Sequence, residues 1–103
     1  MTRRAAAVDA NQAEIVAALR AAGVSVHSLH REGGGCPDLL CGYRGVTQLL
    51  EVKDGSKPPS ARKLTPDQKE WFAAWRGSPV CVVDNVAEAL AVFGVEMKTP
   101  ASR

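Results

Sequence analysis

The sequence predicts an α/β fold, a mixed central sheet flanked by helices in the order α-β-β-β-α-β-α. Three observations predict it. Residues 9–22 repeat apolar side chains at helical spacing. Four short apolar runs are bounded by Gly, Pro, Asp and Asn, as strands are. The last two runs are separated by a polar loop and a helical stretch. That separation suits a parallel pair joined by a right-handed crossover, not a hairpin.

Asp9 to Ala22 reads as the first helix. Asp9 with Gln12 forms a capping-box pattern, Ile15, Val16, Leu19 and Ala22 share one face, and Gly23 follows at the usual stop position. Val24 to His30 alternates like a strand. "REGGGCP" then bends the chain. "DLLCGY" and "VTQLLEVK" are the second and third strands, and the turn signal "YRG" between them makes a hairpin. "DGSKPPSARKL" is polar, and its prolines exclude a central strand. Thr65 then caps a helix with Pro66 at its first position, and Trp71, Phe72 and Trp75 supply an apolar face. "VCVVD" is apolar throughout, suited to a buried strand. Asp84 or Asn85 caps a last helix, Val86 to Phe93, with Val86, Leu90 and Phe93 inward.

The totals exclude several classes. With 103 residues and 46% hydrophobic content the chain is expected to form one globular domain over 1–103, its core at about 9–94. Residues 1–7 and 98–103 read as loose tails. A domain this small buries only about two-thirds of its unfolded surface, so a partner subunit would help. The net charge of +2 is too small to indicate nucleic-acid binding by itself. Cys36, Cys41 and Cys81 have no disulfide spacing and read as small buried hydrophobes in a cytoplasmic setting. No apolar run reaches the roughly 18 residues that span a bilayer. "MTRRAAAVDANQAE" turns polar too soon for a secretory signal. His27 and His30 with Cys36 and Cys41 match no structural zinc pattern.

The third strand carries the chemistry. Glu51 and Lys53 lie two residues apart, about 6.6 Å along a strand and on one face, while Leu50 and Val52 take the other. Asp38 opens the paired strand. A hairpin centred near Arg44 places it opposite residue 50, and a one-residue shift places it opposite Glu51. Two carboxylates that close repel, so one takes a proton or a cation sits between them. A hard divalent cation such as Mg²⁺ resolves the conflict and can engage a phosphate oxygen, with Lys53 steadying the developing charge. The plainer alternative is a surface pair of Glu51 and Lys53 at a strand end.

"GCPDLLCGYRGVTQLLEVKDG" resembles the signature of the PD-(D/E)XK nuclease superfamily, with Pro37-Asp38 as PD and Glu51-Val52-Lys53 as (D/E)XK. "LTPDQKEW" resembles the glutamine-bearing helix of its VRR-NUC branch. The resemblance runs from about Glu14 to Leu90. It implies a restriction-endonuclease-like core and a Mg²⁺-dependent DNA endonuclease, with Mn²⁺ able to substitute, often selective for branched, flap or junction DNA. It also implies that Asp38, Glu51 and the Val52 carbonyl hold the metal and that Lys53 is the catalytic lysine. Gln68 is the helix glutamine, and Glu14 matches an acid on the first helix that faces the metal. Small stand-alone members work as homodimers, without membrane or organic cofactor. A compact lone nuclease suits a phage or mobile element, in a bacterial host or phage-infected cell.

Several of these residues have a plainer reading. Gln68 also closes a capping box with Thr65, a role compatible with catalysis. Glutamates on amphipathic helices are mostly solvated, and Glu14 adjoins the apolar side through Ile15. Lys57, Arg62 and Lys63 form an acid-free basic loop leaving the proposed site, with Lys69 on the helix beyond it. The loop is either solvated or a phosphate-backbone track, to which Arg31 and Arg44 would add. Trp71 and Trp75 read as core. Two other functions stand beside the DNA endonuclease. One is a non-catalytic DNA-binding or assembly module that keeps the nuclease fold. The other is a nuclease acting on RNA.

Overall fold

The computed structural model describes residues 10–96. The proposed cap Asp9 and the stretches 1–7 and 98–103 lie outside the described residues. The order is α1 (Gln12–Ala21), β1 (Ser25–Ser28), β2 (Leu39–Tyr43), β3 (Val46–Val52), a 3-10 turn (Pro59–Ala61), α2 (Pro66–Ala74), β4 (Cys81–Val83) and α3 (Val86–Val92). The four strands form one sheet in the order β1-β2-β3-β4. The first two pairings are antiparallel and β3 with β4 is parallel, as the helix between them requires.

The β2–β3 hairpin turns on two residues, Arg44 and Gly45, with φ of 51° and 82°. Positive φ at both positions is the primed turn that matches the twist of hairpin strands. The turn centre therefore lies between Arg44 and Gly45, half a residue later than a centre at Arg44. Leu39 pairs with Leu50, and one step further Asp38 comes opposite Glu51.

Side-chain alternation gives the sheet two unlike faces. Leu39, Cys41, Leu50, Val52 and Val83 join Ile15 and Leu19 of α1 and Ala89 and Leu90 of α3 in one buried core. The opposite face carries Leu40, Leu49, Glu51 and Val82, with α2 beside it. α2 contributes no fully buried residue, and its Trp71 and Trp75 rings stack 5.0 Å apart with Trp75 43% exposed. The expectation that both tryptophans are core fails for Trp75. The Trp75 indole hydrogen-bonds the Ser78 carbonyl at the helix exit. The expectation of a fully buried fourth strand also fails. β4 is an edge strand whose Val82 stays half in solvent.

α1 starts at Gln12 with Asn11 at its N-cap, so Gln12 is the first helical residue and not the third as a capping box needs. The Asn11 amide instead donates to the carbonyls of Lys53 and Asp84, each at 3.0 Å. These bonds tie the start of α1 to the ends of β3 and β4. The ends of β1, β3 and β4 and the beginning of β2 thus meet at one edge of the sheet.

Candidate active site

Alternation along β2 and β3 sends Asp38, Glu51 and Lys53 to the α2 face of the sheet, away from the core. They line one cavity of about 300 Å³ with Val52, Gln68 and the glycine bend that follows β1. The bend is short of side chains, which leaves the cavity open toward solvent.

The polar groups form a connected set. Asp38 Oδ2 accepts from the Val52 backbone N–H at 2.8 Å, which fixes the carboxylate against β3. Gln68 Nε2 donates to Glu51 Oε2 at 2.8 Å. Gln68 Oε1 accepts from Lys53 Nζ at 2.9 Å and from the Thr65 N–H at 2.9 Å. Lys53 Nζ lies 3.6 Å from Glu51 Oε2. One amide therefore holds the acid and the base in a fixed relation. Thr65 Oγ1 accepts from the Gln68 N–H, so the capping box is complete while the same amide also reaches Glu51 and Lys53. The box uses the N–H groups of Thr65 and Gln68, and Pro66 has none. Little of the helix start remains for an anion.

Glu51 is the strained member. It is only 2% exposed, and its Oε1 is buried without a donor among the described residues. Burial pushes its carboxyl up to about 8, the Asp38 charge and a hydrogen bond with Asp38 push the same way, and Lys53 partly opposes them. A buried acceptor with no donor, beside a second carboxylate, is a site that lacks a positive charge. A hard cation with oxygen ligands fits that deficit. Among the described residues no group of three or more His, Cys, Asp and Glu is placed to hold a metal ion together, so the protein's share would be two carboxylates and backbone oxygen.

The bend is locked onto α2. A Cβ at Gly35 would collide with the Asp67 carbonyl and sit 2.9 Å from the Gln68 nitrogen, and φ there is +87°. The chain carrying Asp38 and the helix carrying Gln68 can touch only because residue 35 has no side chain. Gly35→Ala is expected to destabilise the fold by about 2 kcal/mol or more, measured by urea unfolding, because it combines a backbone clash with a left-handed φ. An unchanged midpoint would mean that this contact is not made.

The remaining predicted residues divide. Glu14 is exposed and lines a wider, neighbouring cleft of about 740 Å³ with Asp54, Asp84 and Glu88, not the cavity of Asp38 and Glu51. The structure does not bring it to the pair. α1 buries Gln12, Ile15 and Leu19, and position 14 is about 200° around the helix from position 12. Gln12 is the polar residue that α1 turns inward, 6% exposed with Oε1 unpartnered among the described residues. Its spacing of three and seven from Ile15 and Leu19 signalled this; reading it as a cap hid the signal.

Arg44 sits at the hairpin tip over the Tyr43 ring, 5.2 Å from its centroid, at the far end of β2 from Asp38. Six residues of strand, about 20 Å, separate the two, so Arg44 lies outside the cavity of Asp38 and Glu51. Arg62 pairs with Asp84 at 3.0 Å and donates to the Lys57 carbonyl at 2.8 Å. It braces the basic loop against the β4–α3 turn. Lys63 and Lys69 are exposed on the loop and on α2, Lys57 is exposed and engaged, and Arg31 is exposed beside the glycine bend.

The sequence matches no protein-family model, and no curated protein matches it. Among solved structures the chain is similar to one described as a VRR_NUC domain. The match has 29% identity and a TM-score of 0.55, and covers 82% of this chain and 96% of that one.

Proposed function

Starting from a VRR-NUC-like nuclease fold, we propose that the chain is a divalent-metal-dependent DNA endonuclease. Its centre is the pair of Asp38 and Glu51 with Lys53. The observation that carries the reading is a buried Glu51 carboxylate, one oxygen without a donor among the described residues, that lines a cavity shared with a second carboxylate and a lysine. A surface ion pair would be solvated, and this one is not.

Asp38, Glu51 and the Val52 carbonyl would hold Mg²⁺ or Mn²⁺. When bound, the ion supplies positive charge at a phosphate oxygen and makes water a better nucleophile at neutral pH. The chain's own groups do the rest. Lys53 Nζ, held by Gln68, stands on the α2 side of the pair, where it orients the attacking water and stabilises charge that develops on the phosphoryl oxygens. Gln68 is a positioning residue for both Glu51 and Lys53. Lys57, Lys63 and Lys69 would follow the phosphate backbone as it leaves the cavity. Selectivity for branched, flap or junction DNA and action as a homodimer belong to the same proposal, supported by the family resemblance. Among the described residues no helix is long and apolar enough to cross a membrane.

The test is a panel of duplex, single-stranded, flap and four-way-junction DNA, with RNA beside them, each in Mg²⁺, Mn²⁺ or EDTA. Cleavage of DNA in either metal and none in EDTA is expected, strongest on a branched form. Binding without cleavage would favour the non-catalytic module, and cleavage confined to RNA would favour the ribonuclease.

A further inference from the structure

We infer that His30 is a further catalytic residue, the acid that gives a proton to the departing 3′-oxygen; the inference rests on the nuclease reading above. His30 is half-buried, follows β1 and lines the same cavity of about 300 Å³ as Asp38, Glu51 and Lys53. Its backbone is held in place. The Leu29 N–H donates to the Asp38 carbonyl at 2.8 Å, extending the β1–β2 ladder by one step, and the His30 N–H donates to Ser28 Oγ at 3.2 Å. No described residue hydrogen-bonds either ring nitrogen.

Strand order puts His30 and Lys53 on opposite sides of Asp38. The end of β1 lies one strand spacing to one side of it and the end of β3 one spacing to the other. Two spacings put the two backbones about 9.6 Å apart, with both side chains lining the cavity between them. An in-line displacement needs a comparable reach. The attacking and leaving oxygens lie on opposite sides of phosphorus, and each is served by a group about 2.6–3.2 Å away. A lysine on the attacking side cannot also serve the leaving oxygen.

The charge inventory of the cavity leads to the same residue. Asp38, Glu51 and Asp67 are acids, Lys53 is already pinned by Gln68, and Cys36 is a weak donor beside the carboxylates. His30 is the remaining lining side chain with a nitrogen-bound proton to give and no hydrogen-bond partner among the described residues. In the step assigned here, water's oxygen bonds to phosphorus and the P–O3′ bond breaks with its electron pair on O3′. The imidazolium N–H proton passes to O3′, and the proton lost by the water leaves to solvent. The products are a 5′-phosphate and a 3′-hydroxyl, and solvent restores the imidazolium.

The test compares His30→Ala and His30→Asn with wild type on two versions of the DNA that wild type cleaves best, assayed in Mn²⁺. One carries the normal 3′-oxygen, the other a bridging 3′-sulfur at the scissile position, whose thiolate leaves without a proton. On oxygen, both variants are expected to be slower by about 10²-fold. On sulfur, they are expected to match wild type within about threefold. Partial unfolding of a variant would slow both substrates alike, so the comparison separates a lost proton donor from lost structure. Equal defects on oxygen and sulfur, or wild-type rates on oxygen, overturn the assignment. A wild-type chain that cleaves neither DNA overturns the nuclease reading itself, and His30 as its acid with it.

Discussion

Lys53→Ala is expected to lower the cleavage rate by about 10²–10³-fold, mainly in kcat, with little change in DNA affinity. Lys53 Nζ donates to Gln68 Oε1 and lies beside Glu51, and its side chain is largely buried in the cavity wall. On the proposed mechanism, removing it costs a charge placed for the transition state. It also removes the group that holds the Glu51 carboxyl down against burial and Asp38. A Lys53→Met variant keeps the packing of the stem and is expected to be as inactive as the alanine variant. Gln68 Oε1 retains the Thr65 N–H as a donor in both, so the start of α2 should stay capped and unfolding should shift little. Single-turnover cleavage and denaturant unfolding on the same preparations give the comparison. Activity within tenfold of wild type in both variants, or cleavage that survives EDTA, would place the chemistry elsewhere.

Glu51→Gln is expected to abolish cleavage and yet stabilise the metal-free protein at alkaline pH. The folded carboxyl titrates at about 8, against an ordinary value of 4.5. The folded state therefore holds a proton that the unfolded chain has already released. Stability declines as pH rises through that window, and the whole cost is present above it. Glutamine has no proton to lose. At pH 9 the variant should be more stable than wild type, by an amount on the order of 1–2 kcal/mol, and at pH 4 the two should be nearly equal. Mg²⁺ or Mn²⁺ should raise the melting temperature of wild type more at pH 8.5 than at pH 5.5, and should leave the glutamine variant unmoved. A wild-type protein whose metal-free stability is flat from pH 5 to 9 would contradict this account of the site.

Such a pairing of instability with activity is expected where a buried carboxylate is kept for chemistry. The surrounding structure compensates for it with fixed polar contacts. Asp38 is anchored to the Val52 N–H, and Gln68 reaches across from another element to Glu51 and Lys53.

Much of this was legible from local pattern. Period-two alternation assigned Glu51 and Lys53 to one face and Leu50 and Val52 to the other. Thr65-Pro66-Asp67-Gln68 announced a capped helix, and the segment between the third and fourth strands implied their parallel pairing. These rest on interactions among residues close in the chain, which a one-dimensional pattern records. Register was nearly legible. Arg44 is not a residue that advertises positive φ, so the turn centre came out half a residue early.

Other features depend on elements far apart in sequence. Glu14 and Gln12 are both polar residues near the start of one helix, and only the docking of α1 against the sheet turned Gln12 inward and left Glu14 in solvent. Nothing in the sequence pairs Arg62 with Asp84, which only the fold sets beside it. Trp75 looked like core until α2 lay along the thinly covered face of the sheet. His30, set aside when its spacing to Cys36 fitted no zinc pattern, came to line the cavity because β1 ends beside Asp38. Periodicity and turn chemistry carry the identity of each element and the direction of its side chains. They do not carry which elements meet, because burial and proton affinity are set by neighbours that the chain brings together only on folding.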